Sequence, residues 1–349
     1  MRQPRLLRRH ASATYHAFSR IVDRQCLIGR EEKQFFHHWM RRLETFCGVR
    51  VLTYCLMSNH FHLLVRVPCK AEQPALTEDQ LRAYLPLLYR GRQLAAIREE
   101  IDRAAEAANG GNTRWLAEIL ARYDARRFDL SSFLKDLKQR FSQWYNERNG
   151  RYGHLWEGAF RSVLVEDGEE ALLATAGYID LNPVRAGICK DPKDYRWSGY
   201  GEAVGGGGEN RRCARRGLSD MLQATRFGVN RRVNWGNAGP RYRMLLYVQG
   251  EERAADARTG SPGRLGINRE QVVWEMTRGG TLSLAEILRC RVRYFTEGQV
   301  LGSREFVDGV FGENHGRFGR RRRQGAQNMV DADWGSLTVL VEPRADRSA

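Results

Sequence analysis

Nine consecutive residues, Met57-Ser58-Asn59-His60-Phe61-His62-Leu63-Leu64-Val65, write two imidazoles into what otherwise reads as a buried strand, and this restricts the chain more than any other feature. Side chains alternate along a strand with a period of two, so His60 and His62 share one face and Phe61 takes the other. Two imidazoles on one face can share a metal ion. A metal site wants further ligands, however, and a histidine pair on a strand is also a common piece of hydrogen-bonded structure.

A second feature lies more than a hundred residues downstream, in Tyr178-Ile179-Asp180-Leu181-Asn182-Pro183-Val184-Arg185-Ala186-Gly187. Residues 169–181 are rich in helix formers, and Pro183 limits the helix through its missing N–H and its restriction of Asn182. Tyr178 and Asn182 then stand one turn apart on one face. A phenol is a competent nucleophile toward phosphorus, and an amide oxygen one turn away could complete the shell of a metal held by His60 and His62. The chemistry suggested is transesterification through a phosphotyrosine. The same residues also fit an ordinary core aromatic and a helix C-cap.

Taken together, His60-Phe61-His62 in its Met-Ser-Asn context, Tyr178 with Asn182-Pro183-Val184-Arg185-Ala186-Gly187, and Asp194-Tyr195-Arg196-Trp197-Ser198-Gly199-Tyr200 resemble the REP-associated tyrosine transposases. These belong to the single-tyrosine branch of the HUH endonucleases, and the motifs occur here in the family's order between about Tyr15 and Tyr200. The resemblance implies an α+β fold with a ferredoxin-like β-α-β-β-α-β core and an antiparallel sheet. It makes His60 and His62 ligands of a divalent metal, Mg²⁺ or Mn²⁺, with Asn182 as a further ligand and Tyr178 as the nucleophile. The expected partner is single-stranded DNA at a hairpin or palindromic repeat, cut through a 5′-phosphotyrosyl intermediate without a nucleotide cofactor. Two positions depart from the family pattern. Asp180 stands where histidine is frequent, and Ala159 stands where a basic residue is usual, with Arg161 nearby.

Periodicity gives the same order independently. Residues 14–22 read as a first strand, 31–47 as an amphipathic helix, 50–57 and 60–67 as the next strands. Residues 130–148 show helical spacing of Phe133, Leu134, Leu137, Phe141 and Trp144, and 160–165 give a fourth strand before the tyrosine helix. Between the third strand and the second core helix, residues 68–129 form an insertion with helical segments around 77–107 and 113–123. The transposase domain is thus expected over 1–200. A Gly/Arg-rich linker is expected at 201–217, from the Gly205–Gly208 run, and a basic, mainly helical extension over 218–349. Within that extension, 269–278 and 283–290 have the length of a helix-turn-helix or of a small helical packing domain.

Charge fits a nucleic-acid partner: a formal net charge of +16 and a pI of about 9.9 would attract polyphosphate. Arg5, Arg8 and Arg9 form a basic N-terminal arm, Arg140 lies in a segment that interleaves cations with aromatics, and Arg161 and Arg185 flank the tyrosine helix, so these are the candidate DNA contacts. The cysteines include no Cys-x-x-Cys pair, which argues against a zinc ribbon or disulfide framework and fits a reducing cytosol. The start lacks the apolar run of a secretion signal, and no stretch is apolar enough to span a membrane. The expectation is a transposase that nicks and rejoins single-stranded DNA, a monomer or homodimer in the bacterial cytoplasm, beside the chromosome. The alternatives are a hairpin-binding protein that does not cut, or a relaxase or replication initiator.

Overall fold

A computed structural model describes residues 6, 8, 10–205, 208–225, 233–252, 263, 265–277, 298–317, 324–328 and 336–341. The first strand, β1 (Ala13–Arg20), leads into α1 (Arg30–Cys47), then β2 (Arg50–Leu56) and β3 (His60–Val67). Glu31 and Glu32 occupy the first turn of α1, where acidic groups complement the exposed N–H ends. Its other end closes on Gly48 at φ 66°, where a Cβ would also lie 2.4 Å from the Phe128 ring.

Three helices fill the insertion: α2 (Glu78–Leu88), α3 (Gly91–Asn109) and α4 (Arg114–Asp124). Thr77 and Gln80 start α2 with a reciprocal capping box. The segment expected to be helical over 77–107 breaks at Tyr89 and Arg90, both extended, just after Pro86. The insertion is part of the core: Leu81, Leu85, Leu88, Ile101, Ile119 and Tyr123 are buried in the same cluster as α1. The chain continues through α5 (Leu130–Arg148), β4 (Arg161–Val165), α6 (Glu169–Asp180) and the short α7 (Asn182–Arg185).

In the sheet these strands run β2-β3-β1-β4, and each neighbouring pair is antiparallel. That is the β-α-β-β-α-β core expected from the sequence. Strand alternation then divides the interior. Phe61, Leu63 and Val65 pack with Phe36, Met40, Leu43, Phe133 and Leu137 of α1 and α5. Leu64, Val163 and Val165 face Leu172, Ala176 and Ile179 of α6 on the opposite side. With one face under α1 and α5 and the other under α6, the strands are buried on both sides.

Residues 201–217 are not an open linker. They lie in α8 (Gly199–Gly205) and α9 (Gly208–Gln223), apart from 206 and 207, which are outside the described residues. Leu218, Met221 and Leu222 are buried at helical spacing, and that apolar stripe outweighs the glycines. Gly217 lets α9 approach β2 so closely that a Cβ there would lie 2.4 Å from the Val51 carbonyl. Next, α10 (Trp235–Gly250) and α11 (Arg269–Met276) add to the α6 side through Tyr242, Leu246 and Val272.

Besides helices, the extension carries strands. After β5 (Gly298–Ser303) come α12 (Arg304–Glu313), β6 (Gln327–Asn328) and β7 (Leu337–Val341), and the sheet continues β4-β5-β7-β6. Strand β5 pairs parallel to β4, whose outer edge would otherwise carry unpaired backbone groups, and β7 pairs antiparallel to β5. Of the suggested helix-turn-helix, 269–276 is α11, while 283–290 lies outside the described residues, as does the Arg320–Arg323 run. Among the described residues, no helix is long and apolar enough to cross a membrane.

Candidate active site

Antiparallel register builds the site. His60 lies opposite Arg20, and His62 opposite Phe18, which in turn lies opposite Arg161 of β4. Directly opposed residues share a face, so His60, His62, Arg20, Phe18, His16 and Arg161 all belong to the side covered by α6. The two histidine rings meet edge to face with centroids 5.0 Å apart.

Each ring is held by its Nδ1. His60 Nδ1 lies 2.6 Å from Asn59 Oδ1, and His62 Nδ1 lies 2.9 Å from His16 Nε2. An Nδ1–H donated to Asn59 or His16 makes Nε2 the lone-pair atom of each ring, the tautomer a metal ligand needs. Burial, with Arg20 adding to it, pushes His60 down to about 4. Burial acts on His62 in the same direction, followed by His16, His60 and Arg20, and holds it well below the ordinary histidine value. Both imidazoles are therefore neutral at neutral pH and able to coordinate. Among the described residues no group of three or more His, Cys, Asp or Glu side chains could hold a metal. The donor set is two imidazoles plus whatever oxygens join them, which fits a divalent ion that keeps water or phosphate in its shell.

Tyr178 comes from α6 to the same place. Its ring centroid is 5.5 Å from His62 and 5.9 Å from His16, and the residue is 4% exposed. Burial raises the phenol above its ordinary pKa, while Arg185, the Asn182 side chain and Arg20 pull the other way. The Arg185 guanidinium lies 5.2 Å from the Tyr178 ring centroid, and its Nη1 donates to the Tyr178 carbonyl at 3.3 Å. Asn182 Nδ2 donates to that carbonyl at 2.9 Å, capping the helix end. With the nitrogen so used, Oδ1 is the amide atom left for a metal or phosphate, so the cap and the ligand roles are compatible.

The helix that carries Tyr178 is fixed from behind by Asp180. Buried among neighbours, Asp180 accepts from Thr53 Oγ1 at 2.7 Å, Tyr242 Oη at 2.6 Å and the Tyr200 amide at 3.0 Å. Burial raises its carboxyl to about 6 against the pull of these three donors. Asp180 thereby ties α6 to β2, α8 and α10 at once. Gly177 allows the same close packing, since a Cβ there would lie 1.5 Å from Gln249 Oε1 of α10.

The other expected contacts are dispersed. Arg161 is exposed on the site's own face and Arg185 is beside Tyr178. Arg140 lies on α5, across the sheet. Arg8 sits over Phe306, with Glu313 3.9 Å away, near the C-terminal strands. Arg5 and Arg9 lie outside the described residues. Sequence reasoning missed His16 and Arg20. Both follow from the period of two along β1 once its register against β3 is known.

Fold and site together define a class: an α+β core whose sheet presents paired imidazoles to a tyrosine carried on a covering helix. Residues 10–78, about a fifth of the chain, match the family model described as "Transposase IS200 like". The matched stretch contains both histidines and ends before Tyr178. A solved structure of a REP-associated tyrosine transposase bound to a REP hairpin is similar to this chain with a TM-score of 0.36 and 14% identity, covering 58% of this chain and 86% of that one. No curated protein matches the chain.

Proposed function

We propose that the protein is a single-tyrosine transposase that nicks and rejoins single-stranded DNA at hairpin or palindromic-repeat sites. One observation carries the reading: a tyrosine from α6 sits 5.5 Å, ring to ring, from the second histidine of the β3 pair, inside a core whose histidine stretch matches the IS200-like transposase model. In the proposed step the Tyr178 hydroxyl gives its proton to water, its oxygen attacks the scissile phosphorus, and the departing 3′ oxygen takes up a proton from water. The bond from phosphorus to the 3′ oxygen breaks, leaving a 5′-phosphotyrosyl end and a 3′-hydroxyl, and the reverse attack by a 3′-hydroxyl rejoins the strand. Arg185 and Arg20 favour the phenolate and the incoming phosphate alike. His60 and His62, with Asn182, would hold Mg²⁺ or Mn²⁺, and such an ion supplies Lewis-acid polarisation and positioning of the phosphate. The cleavage chemistry conserves the phosphoester energy in the covalent link, so no nucleotide is consumed.

Denaturing electrophoresis with labelled single-stranded hairpin oligonucleotides, with Mg²⁺ or Mn²⁺ and with chelator, tests the reading. A metal-dependent protein-linked DNA band is expected. Tight hairpin binding with no adduct over a broad substrate set would instead place the chain with non-cutting DNA-binding proteins. The expected setting, the cytoplasm of a bacterium and its chromosomal DNA, follows from that activity.

His16 is expected to act as a positioning residue for His62. Replacing it with leucine removes the partner of His62 Nδ1 while filling most of the space, and should raise the Mn²⁺ concentration needed for half-maximal adduct by about 10–100-fold. Titration calorimetry of Mn²⁺ into DNA-free protein should show the same weakening, and His16→Gln, which keeps a hydrogen-bonding group, should recover part of it. Equal Mn²⁺ affinity in His16→Leu and wild type would show that His16 only fills space.

A further inference from the structure

On the layer opposite Tyr178, α5 and the turn between α2 and α3 enclose a cleft of about 370 Å³ lined by Tyr89, Gln93, Arg126, Gln139, Arg140 and Gln143, with Asp136 as its carboxylate. Arginines converge there. Beside it, Arg42 of α1 donates from Nε to the Leu87 carbonyl at 2.6 Å, and Arg90 follows Tyr89, a lining residue, in the turn. Their charges are felt mutually: after burial, Arg90 and Arg140 lower Arg42, and Arg42 and Arg90 lower the exposed His38. Asp136 is committed to Arg126 at 2.5 Å. Among the described residues neither Arg90 nor Arg140 has an ion-pair partner.

Aromatic surface lies among these cations. The Arg140 guanidinium carbon stands 4.2 Å from the Trp39 ring centroid and Arg42 stands 5.3 Å from it, while Arg140 is also 5.9 Å from Tyr89. Trp39 and Tyr89 are half-buried, and Arg90, Gln93, Gln139 and Gln143 are exposed. With Asp136 the one carboxylate of the lining and already paired with Arg126, the clustered guanidinium groups repel one another, and an anion that joins them relieves that cost. Planar guanidinium groups, side-chain amides and aromatic edges are the chemistry that takes a phosphodiester backbone.

We propose that this cleft is a second DNA-backbone contact, formed by the 68–129 insertion together with α1 and α5, which grips the substrate on the side of the sheet away from Tyr178. The proposal rests on the single-strand transposase reading for its ligand, and it assigns the insertion a binding role besides its packing role. It makes the substrate longer than the stretch at the tyrosine, because DNA that reaches both places must pass around the sheet.

The test is the salt dependence of hairpin binding. Fluorescence anisotropy of a labelled DNA hairpin with single-stranded flanks, measured from low to moderate salt, gives the slope of log affinity against log salt. Arg90→Gln/Arg140→Gln should reduce that slope by about 2 and weaken binding, whereas Arg211→Gln/Arg216→Gln, which removes the same charge from exposed positions of α9, should leave the slope nearer the wild-type value. The single variant Arg90→Gln, at an exposed turn, should give about half the change, and it guards against a folding defect in the pair. Equal slopes in the two double variants would overturn the cleft. So would loss confined to an RNA hairpin of the same sequence. The adduct assay is separate: a reduced slope with no tyrosyl–DNA band in the wild type would keep the cleft and discard the nuclease.

Discussion

Tyr178→Phe should form no covalent DNA adduct, a loss on the order of 10⁴-fold or more, while hairpin affinity stays at the wild-type level. The substitution is a narrow one. Tyr178 packs its ring against His62 and His16 and under Arg185, and phenylalanine keeps those contacts while deleting the oxygen alone. Burial raises the phenol's pKa, and Arg185, the Asn182 side chain and Arg20 oppose that rise. Denaturing gels and anisotropy on the same preparations separate the two readouts. An adduct that persists in Tyr178→Phe would mean that another group attacks the phosphate, and a variant that no longer binds DNA would make the phenol a structural group.

How much of this was legible beforehand follows the range of the interactions involved. Alternation within 60–67 is local, and it correctly put His60 and His62 on one face and Phe61 on the other. Helical spacing in 31–47, 130–148 and 169–181 is local too, and those helices stand where periodicity put them. His16 is different: nothing within β1 marks it, because its meaning comes from lying diagonally across from His62 in a strand pair separated by 46 positions. The parallel pairing of β5 with β4 joins residues more than 130 positions apart, and β5 itself carries two glycines, a poor strand signal. The glycines around 205–208 suggested open chain because a composition argument weighs residue type. The buried stripe of Leu218, Met221 and Leu222 outweighs them.

Position 180 shows the same limit with a larger energy attached. The sequence marks Asp180 only as a residue standing where histidine is frequent, yet its carboxylate receives three donors from three elements, Thr53, Tyr200 and Tyr242. Asp180→Ala should therefore destabilise the fold by about 3–5 kcal/mol, because it strands two hydroxyls and an amide in a dry interior. In thermal melts that corresponds to a fall in Tm on the order of 10 °C. Asp180→Asn should cost less but not nothing, since its NH₂ must face a donor. The asymmetry of buried hydrogen bonds gives a sharper test. Adding Thr53→Val and Tyr242→Phe to Asp180→Ala removes both stranded hydroxyls, so the triple variant should be less destabilised than the sum of its parts. Because α6 carries Tyr178 two residues before Asp180, the single variant should also lose adduct formation at temperatures where it remains folded, and the triple variant should not recover it. Urea denaturation placing Asp180→Ala within 1 kcal/mol of wild type would show that water reaches these donors, and that the helix is held by its apolar face alone.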